Sequence, residues 1–255
     1  MEVSLSMCLI VCPLVFLAGL VDSIAGGGGL ISLPAYLLAG LPPHYALGTN
    51  KTAMSIGTFT AAVKYFKAGQ IDLRVGAVSA VGSFIGSALG SCLALMIADH
   101  ILKTIMLVIL PVVAVFLLIK KDFGVTSNIP KQMSLQELTI SALLIGLIIG
   151  GYDGLIGPGT GTFFILAFTA FMGFDLLKSS GCAKVANLMS NVASMIIFMI
   201  NGKVLLPLAI TAAVFAVAGN YVGARLAISG GNQYVRYAIF LVIGLLFIKM
   251  AAELY

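Results

Sequence analysis

Asp22, Lys51, Asp153 and Lys184 stand in or beside long apolar stretches of this chain. A charge inside hydrocarbon is costly, and one that is kept there is by default part of an ion path, a binding site or a structural pair. Two lysine ammonium groups brought together would attract an oxyanion. Two carboxylates could balance them or take up protons. Each carboxylate opens a Gly-rich string, "DSIAGGGG" at 22–29 and "DGLIGPGTG" at 153–161. Glycine lets backbone approach a ligand closely. A helix that restarts after such a break presents unpaired N–H groups and about half a positive charge. The candidate anion site is therefore Lys51 and Lys184 with Gly26, Gly27, Gly28, Gly29, Gly157, Gly159 and Gly161, joined by the hydroxyls of Thr160 and Thr162. Asp22 and Asp153 would hold the lysines when no anion is bound, or carry coupling protons. The plainer reading is that each aspartate anchors its break and each lysine neutralises one aspartate.

Lys184, Asn187 and Asn191 are spaced i, i+3, i+7 and share one helical face. The matching positions earlier in the chain hold Lys51, Met54 and Thr58, so the site is expected to be asymmetric, with its second half the more polar. Asn187 and Asn191 either donate to an oxyanion or bond between helices. Thr49 and Asn50, just before Lys51, are candidates for the same wall. Other chemistry lacks its residues. The only histidines are His44 and His100, and "GPGTG" lacks the lysine a phosphate loop needs. No enzyme activity, cofactor or metal is expected.

The elements that must hold these groups are membrane helices. The chain has 255 residues, 60% hydrophobic and 9% charged, against roughly 25% charged in soluble domains. Ten apolar segments follow from the hydropathy pattern, at 4–24, 30–39, 44–67, 73–98, 101–120, 135–152, 161–172, 177–200, 204–228 and 234–254. The second and seventh are short, at roughly 15–18 Å about half a bilayer. Short, interrupted segments at matching places in two halves are the best sequence pointer to a transporter site.

The halves are copies of one repeat. At an offset of 133 (173 − 40), Gly40, Gly48, Lys51, Gly69, Gly86 and Gly90 fall on Gly173, Gly181, Lys184, Gly202, Gly219 and Gly223. At an offset of 131 (153 − 22), Asp22 falls on Asp153 and Gly26 on Gly157. The expected architecture is all-α and integral to the membrane, with two tandem repeats of five segments at 1–121 and 134–255 and a cytoplasmic linker at 122–133. The linker holds Asn128, Pro130 and Lys131, with Lys120 and Lys121 at its edge. Five crossings per half make the repeats inverted, and four make them parallel. The spread of Lys and Arg leans to the inverted form. The net charge of +5 sets orientation and does not point to nucleic acid.

Smaller features read as structural. Gly82, Gly86 and Gly90, and again Gly219 and Gly223, have the spacing of close helix packing. Asn220 is expected to bond between helices, Pro111 and Pro207 to kink theirs, and Arg225 and Arg236 to set orientation. Cys8, Cys12, Cys92 and Cys182 are expected to be small buried hydrophobes. The first segment lacks a basic start and a cleavage site and is expected to be retained.

The strings "GLVDSIAGGGGLISLPAYLLAGLPPHYALGTNK" and "GGYDGLIGPGTGTFFILAF…GCAKVANLMSNVAS" resemble the TauE/SafE family of membrane permeases, also called the sulfite exporter family, and most of all its broad YfcA-like branch. The resemblance covers essentially the whole chain. It implies movement of sulfite, organosulfonates or related small anions across a bacterial inner membrane. The family's signature falls on Gly26 to Gly29, Thr49 to Lys51, Asp153 to Gly161 and Lys184. Many members carry a Gly-Gly-Gly run in the second half, where this chain has Pro158 and Thr160. The partners this reading implies are the lipid bilayer and a small anion, with proton coupling and a homodimer left open. A cation or zwitterion carrier built on the aspartates, and a membrane scaffold that transports nothing, are the alternatives.

Overall fold

The computed structural model describes residues 3–119 and 133–254, with the side chains at 107, 110, 111, 113–119 and 231–254 outside the description. The expected linker at 122–133 lies almost wholly outside the described residues, as do Lys120, Lys121 and the side chains of Pro111 and Arg236. The described residues form α1 (Leu5–Ala25), α2 (Gly29–Leu38), α3 (Pro43–Lys67), α4 (Leu73–Met96), α5 (Asp99–Ile119), α6 (Leu135–Leu155), α7 (Thr160–Met172), α8 (Leu176–Ile200) and α9 (Leu206–Leu254). Among the described residues, α1, α4, α6, α8 and the Leu206–Gly230 part of α9 are long and apolar enough to cross a membrane.

The starts and stops have local causes. Ser4, Asp72 and Asp175 cap α1, α4 and α8 by accepting backbone N–H bonds, and Ser134 with Glu137 forms a reciprocal capping box on α6. α1 ends where Gly26 turns left-handed at φ 80°, and its N–H caps the Asp22 carbonyl. α7 starts after Gly159, left-handed at φ 77°. Two expectations are corrected. The ninth and tenth apolar segments are one continuous helix, because Ser229–Gly230–Gly231–Asn232 contains no proline and glycine permits a break without forcing one. Pro207 lies in the first turn of α9, where its missing N–H breaks no helical bond, so it starts the helix and does not kink it.

α4 shows how the bundle is assembled. Val81, Ile85, Leu89 and Leu93 form one stripe exposed on the surface, facing lipid. Gly82, Gly86 and Gly90 form the next, and a Cβ on any of them would collide with the α6 backbone at Leu143, Leu147 or Gly151. Ser79, Ser83, Ser87 and Ser91 form the third and are fully buried. Ser87 and Ser91 join α8, with Ser87 Oγ donating to the Ser190 carbonyl at 2.6 Å and Ser91 Oγ donating to Ser194 Oγ at 2.8 Å. α6 returns the fit, since Gly146, Gly150 and Gly154 lie on the backbone of Ser79, Ser83 and Ser87. Lipid is as apolar as leucine, so close backbone approach and polar bonds replace the hydrophobic effect between helices. The same device joins α9 to α1, where Gly219 and Gly223 rest on the carbonyls of Phe16 and Leu20. The glycine ladders are thus packing faces, as their spacing implied.

These contacts also give the helix directions. α6 runs parallel to α4, and α9 runs parallel to α1. α8 begins where α3 ends, because Lys178 Nζ lies 3.2 Å from Asp72 Oδ2, and it ends where α3 begins, with Gly48 against the Lys203 carbonyl. α3 and α8 are therefore antiparallel, and so are α1 and α6. Asn220 departs from expectation. It donates to the Ala216 carbonyl one turn back in its own helix, and its Oδ1 is buried without a partner. Cys12 and Cys182 are buried as expected, whereas Cys8 is half-buried and Cys92 is exposed.

Candidate functional site

The two breaks meet. A Cβ on Gly26 would overlap the backbone of Gly161 and Thr162, and Thr162 Oγ1 donates to the Ala25 carbonyl at 2.7 Å. A Cβ on Gly29 would stand 3.2 Å from the Gly157 carbonyl oxygen. Only glycine allows this approach at Gly26, since its left-handed φ of 80° is added to the clash. Each break is also tied down by a tyrosine. Tyr65 Oη donates to the Ser23 carbonyl at 2.9 Å, and Tyr152 Oη donates to the Pro158 carbonyl at 2.7 Å.

The four charges pair across the halves. Lys184 Nζ lies 2.8 Å from Asp22 Oδ2 and also donates to the Asp22 carbonyl. Lys51 Nζ lies 2.5 Å from Asp153 Oδ2. Asp22 and Asp153 occupy the last turns of α1 and α6, the negative ends of the helix dipoles, where a carboxylate is disfavoured and a cation welcome. An unpaired aspartate there would be doubly costly, which is why each draws a lysine from the opposite half.

The two pairs differ. Both pairs are buried, with side chains 0% and 4% exposed for Lys184–Asp22 and 3% each for Lys51–Asp153, and only the Lys184 ammonium makes a second bond, to the Asp22 carbonyl. The Lys51–Asp153 contact is a single ion pair, the ammonium set against one carboxylate oxygen. It opens on a cavity of about 20 Å³. Asp22, Gly26, Gly29, Asn50, Lys51, Asp153, Gly157, Thr160, Gly161, Asn187 and Asn191 line that cavity, together with Leu33 and Met54. Asn50 Oδ1 is buried there without a partner. The space suits one water molecule, which needs roughly 10–15 Å³ on this measure.

Most predicted site residues are brought together, and six are not, among them Thr162, whose hydroxyl is spent on the Ala25 carbonyl. Lys184 is not on the cavity wall because Asp22 holds it behind the first break. Thr49 is turned away, its Oγ1 accepting the Leu205 N–H at 3.0 Å and so anchoring the start of α9. Gly28 is packed where a Cβ would stand 2.5 Å from the Asp22 Cβ, a fit behind the wall. Gly27 and Gly159 shape the turns, accepting the N–H groups of Leu30 and Phe163. Thr160 Oγ1 donates to the Gly157 carbonyl at 2.7 Å, so its hydroxyl proton is committed to the turn. Thr58 is buried with its Oγ1 unpartnered and is not on the cavity wall. Sequence reasoning missed Leu33 and the serine lattice of α4 and α8. The i, i+4 recurrence of Ser79, Ser83, Ser87 and Ser91 was the available signal for the lattice. Leu33 carries no such signal.

The family model described as "Sulfite exporter TauE/SafE" matches residues 11–250. The chain belongs to the TauE/SafE family. Among its relatives, the probable membrane transporter protein ORF9 of Sinorhizobium sp is 34% identical over 93% of this chain and 90% of its own length. The probable membrane transporter protein YfcA of Escherichia coli (strain K12) is 31% identical over 92% of this chain and 86% of its own. A probable membrane transporter protein of Haemophilus influenzae is 31% identical over 99% and 98%. No solved structure matches the chain. These relatives, together with the apolar helices, establish a multi-pass membrane protein of a transporter family.

Proposed function

We propose that this TauE/SafE protein is a secondary transporter of a small anion of the sulfite or organosulfonate kind, coupled to protons, with its site in the cavity where the two breaks meet. The observation that carries the reading is Lys51. Its ammonium is 3% exposed, lies on the cavity wall and is held by a single carboxylate, that of Asp153. Such a cation, with the amides of Asn50, Asn187 and Asn191 on the same wall, replaces the hydration shell of an oxyanion. An arriving anion would displace Asp153 from Lys51, and protonation of the freed carboxylate would couple the two movements. The cavity is smaller than such a solute, so loading requires its walls to part. Repeats of inverted orientation fit this cycle, and the opposite directions of α1 and α6, and of α3 and α8, support them.

The test is flux of labelled sulfite, sulfate, thiosulfate and short sulfonates into liposomes holding the purified protein. Lys51→Ala is expected to abolish flux while the protein stays folded. Anion flux unchanged in that variant would overturn the reading. A cation carrier draws on one specific observation, the two buried carboxylates of Asp22 and Asp153 on the cavity wall. It predicts that Asp153→Asn stops transport of a cation and that no anion moves. A protein that moves nothing in this assay is a scaffold.

A further inference from the structure

A second cavity lies away from the breaks, on the lipid-facing surface between α3, α4 and α8. It encloses about 270 Å³, just under the ~300 Å³ at which small-molecule pockets begin. Its lining is apolar throughout. Phe59, Val63 and Phe66 come from α3, Leu73 and Ala77 from α4, and Leu188 from α8. Phe59, Phe66 and Leu73 form an exposed rim at 57%, 59% and 66%. Among the described residues no side chain fills the space, and it opens on the apolar outer surface of the helices.

The end of this groove nearest the α3–α4 turn carries positive charge. Lys67 follows Val63 by one turn on the same face of α3, and Arg74 stands beside Leu73 in the first turn of α4. Both are exposed, and neither has an ion-pair partner among the described residues. The carboxylate between them is already used. Asp72 caps α4 at Val75 and pairs with Lys178 at 3.2 Å. An apolar slot ending in two uncommitted cations at the helix ends matches an amphiphile with one anionic head and an extended tail. We infer that this groove is a binding site for an acidic phospholipid, one acyl chain lying along Phe59, Val63 and Leu188 and the phosphate resting on Lys67 and Arg74.

The geometry distinguishes this occupant from a second copy of the chain. A helix of a partner chain would need an apolar flank through its whole length, whereas both exposed cations sit at one end of the groove. Basic residues at helix ends attract anionic lipid, and a slot for one tail turns that general attraction into a site. Because the groove is walled by α3 and α8, which also carry Lys51 and Lys184, a lipid seated there braces the two helices that bear the central ion pairs.

The experiment uses the full chain in nanodiscs of phosphatidylcholine containing a minor fraction of phosphatidylglycerol, followed by native mass spectrometry of the lipids that stay bound. The expected result is one retained phosphatidylglycerol per chain, enriched roughly thirtyfold over its bulk share, the scale that two cations near a surface produce. Lys67→Gln with Arg74→Gln should bring the enrichment close to the bulk ratio. Ala77→Phe, which fills the slot and leaves both charges in place, should do the same. Retention at the bulk ratio in the unaltered protein would overturn the assignment. So would enrichment that survives both sets of substitutions, or a change in oligomeric mass with Ala77→Phe and no lipid selectivity. The retained mass does not depend on transport, so the outcome is independent of whether the central cavity carries an anion.

Discussion

Lys184→Met tests the claim that the two ion pairs have different roles. The substitution keeps most of the side-chain volume and removes the charge and two hydrogen bonds. It leaves the Asp22 carboxylate 4% exposed, at the C-terminal end of α1 and without its paired ammonium. Removing one partner of a buried pair costs about 3–5 kcal/mol, because the remaining charge is stranded. The helix dipole adds roughly 0.3–1 kcal/mol in the same direction. Lys51→Met strands Asp153 as well, and both carboxylates line the same cavity, but Lys51 makes no bond like the one Lys184 makes to the Asp22 carbonyl, so its cost should be lower by about 1 kcal/mol, one hydrogen bond. The double variant Asp22→Asn/Lys184→Met replaces two charges by neutral groups of similar shape and should return to within about 1–2 kcal/mol of the unaltered protein. The assay is reversible denaturant unfolding in mixed micelles, with sulfite flux measured on the same preparations. Flux should be lost in Lys51→Met despite its smaller effect on stability, and partly kept in the double variant. The reasoning fails if Lys51→Met destabilises as much as Lys184→Met. It also fails if the double variant is as unstable as the sum of its single substitutions.

Other expectations follow from the same geometry. Gly26→Ala should leave no folded transporter, because the clash with Gly161 and Thr162 adds to the left-handed backbone, whereas Gly40→Ala, at φ 85° with nothing within 4 Å, should cost only about 1–2 kcal/mol. Thermal unfolding of the two variants side by side checks this, and equal losses would show that the breaks do not touch. Tyr152→Phe frees the Pro158 carbonyl and should destabilise by about 1–3 kcal/mol while slowing flux. Unchanged kinetics would mean that the second break does not depend on that bond. At the α3–α4 turn, burial alone would raise the Asp72 pKa, but the Val75 N–H and the Lys178 ammonium together hold it below its ordinary value. A depressed folded pKa contributes stability that is present above the unfolded value, about 3.9, and is lost as pH falls through the folded one. Unfolding titrations from pH 6 downward should show the unaltered protein losing this increment below about pH 4, and Asp72→Asn not losing it.

What the sequence could determine about this protein was what depends on composition, spacing and repetition. Long uncharged segments require helices in lipid, because no other open structure satisfies its backbone bonds there. The glycines at the breaks and the four misplaced charges point to the region where the cavity lies. The spacing of Gly82, Gly86 and Gly90 declared a packing face, and the extra asparagines of α8 declared an asymmetric wall. Only the tertiary structure decided which charge meets which. Pairing across halves depends on α3 and α8 running antiparallel past two breaks in contact, and no local pattern encodes that meeting. The same packing turned Lys184 and Thr49 away from the cavity and left Lys51 on it, although the two lysines are indistinguishable by spacing. Helix periodicity gives the face on which a side chain lies. Whether that face meets a carboxylate, a backbone amide or a cavity is settled by the neighbouring helices, whose approach is set by glycines far away in the chain.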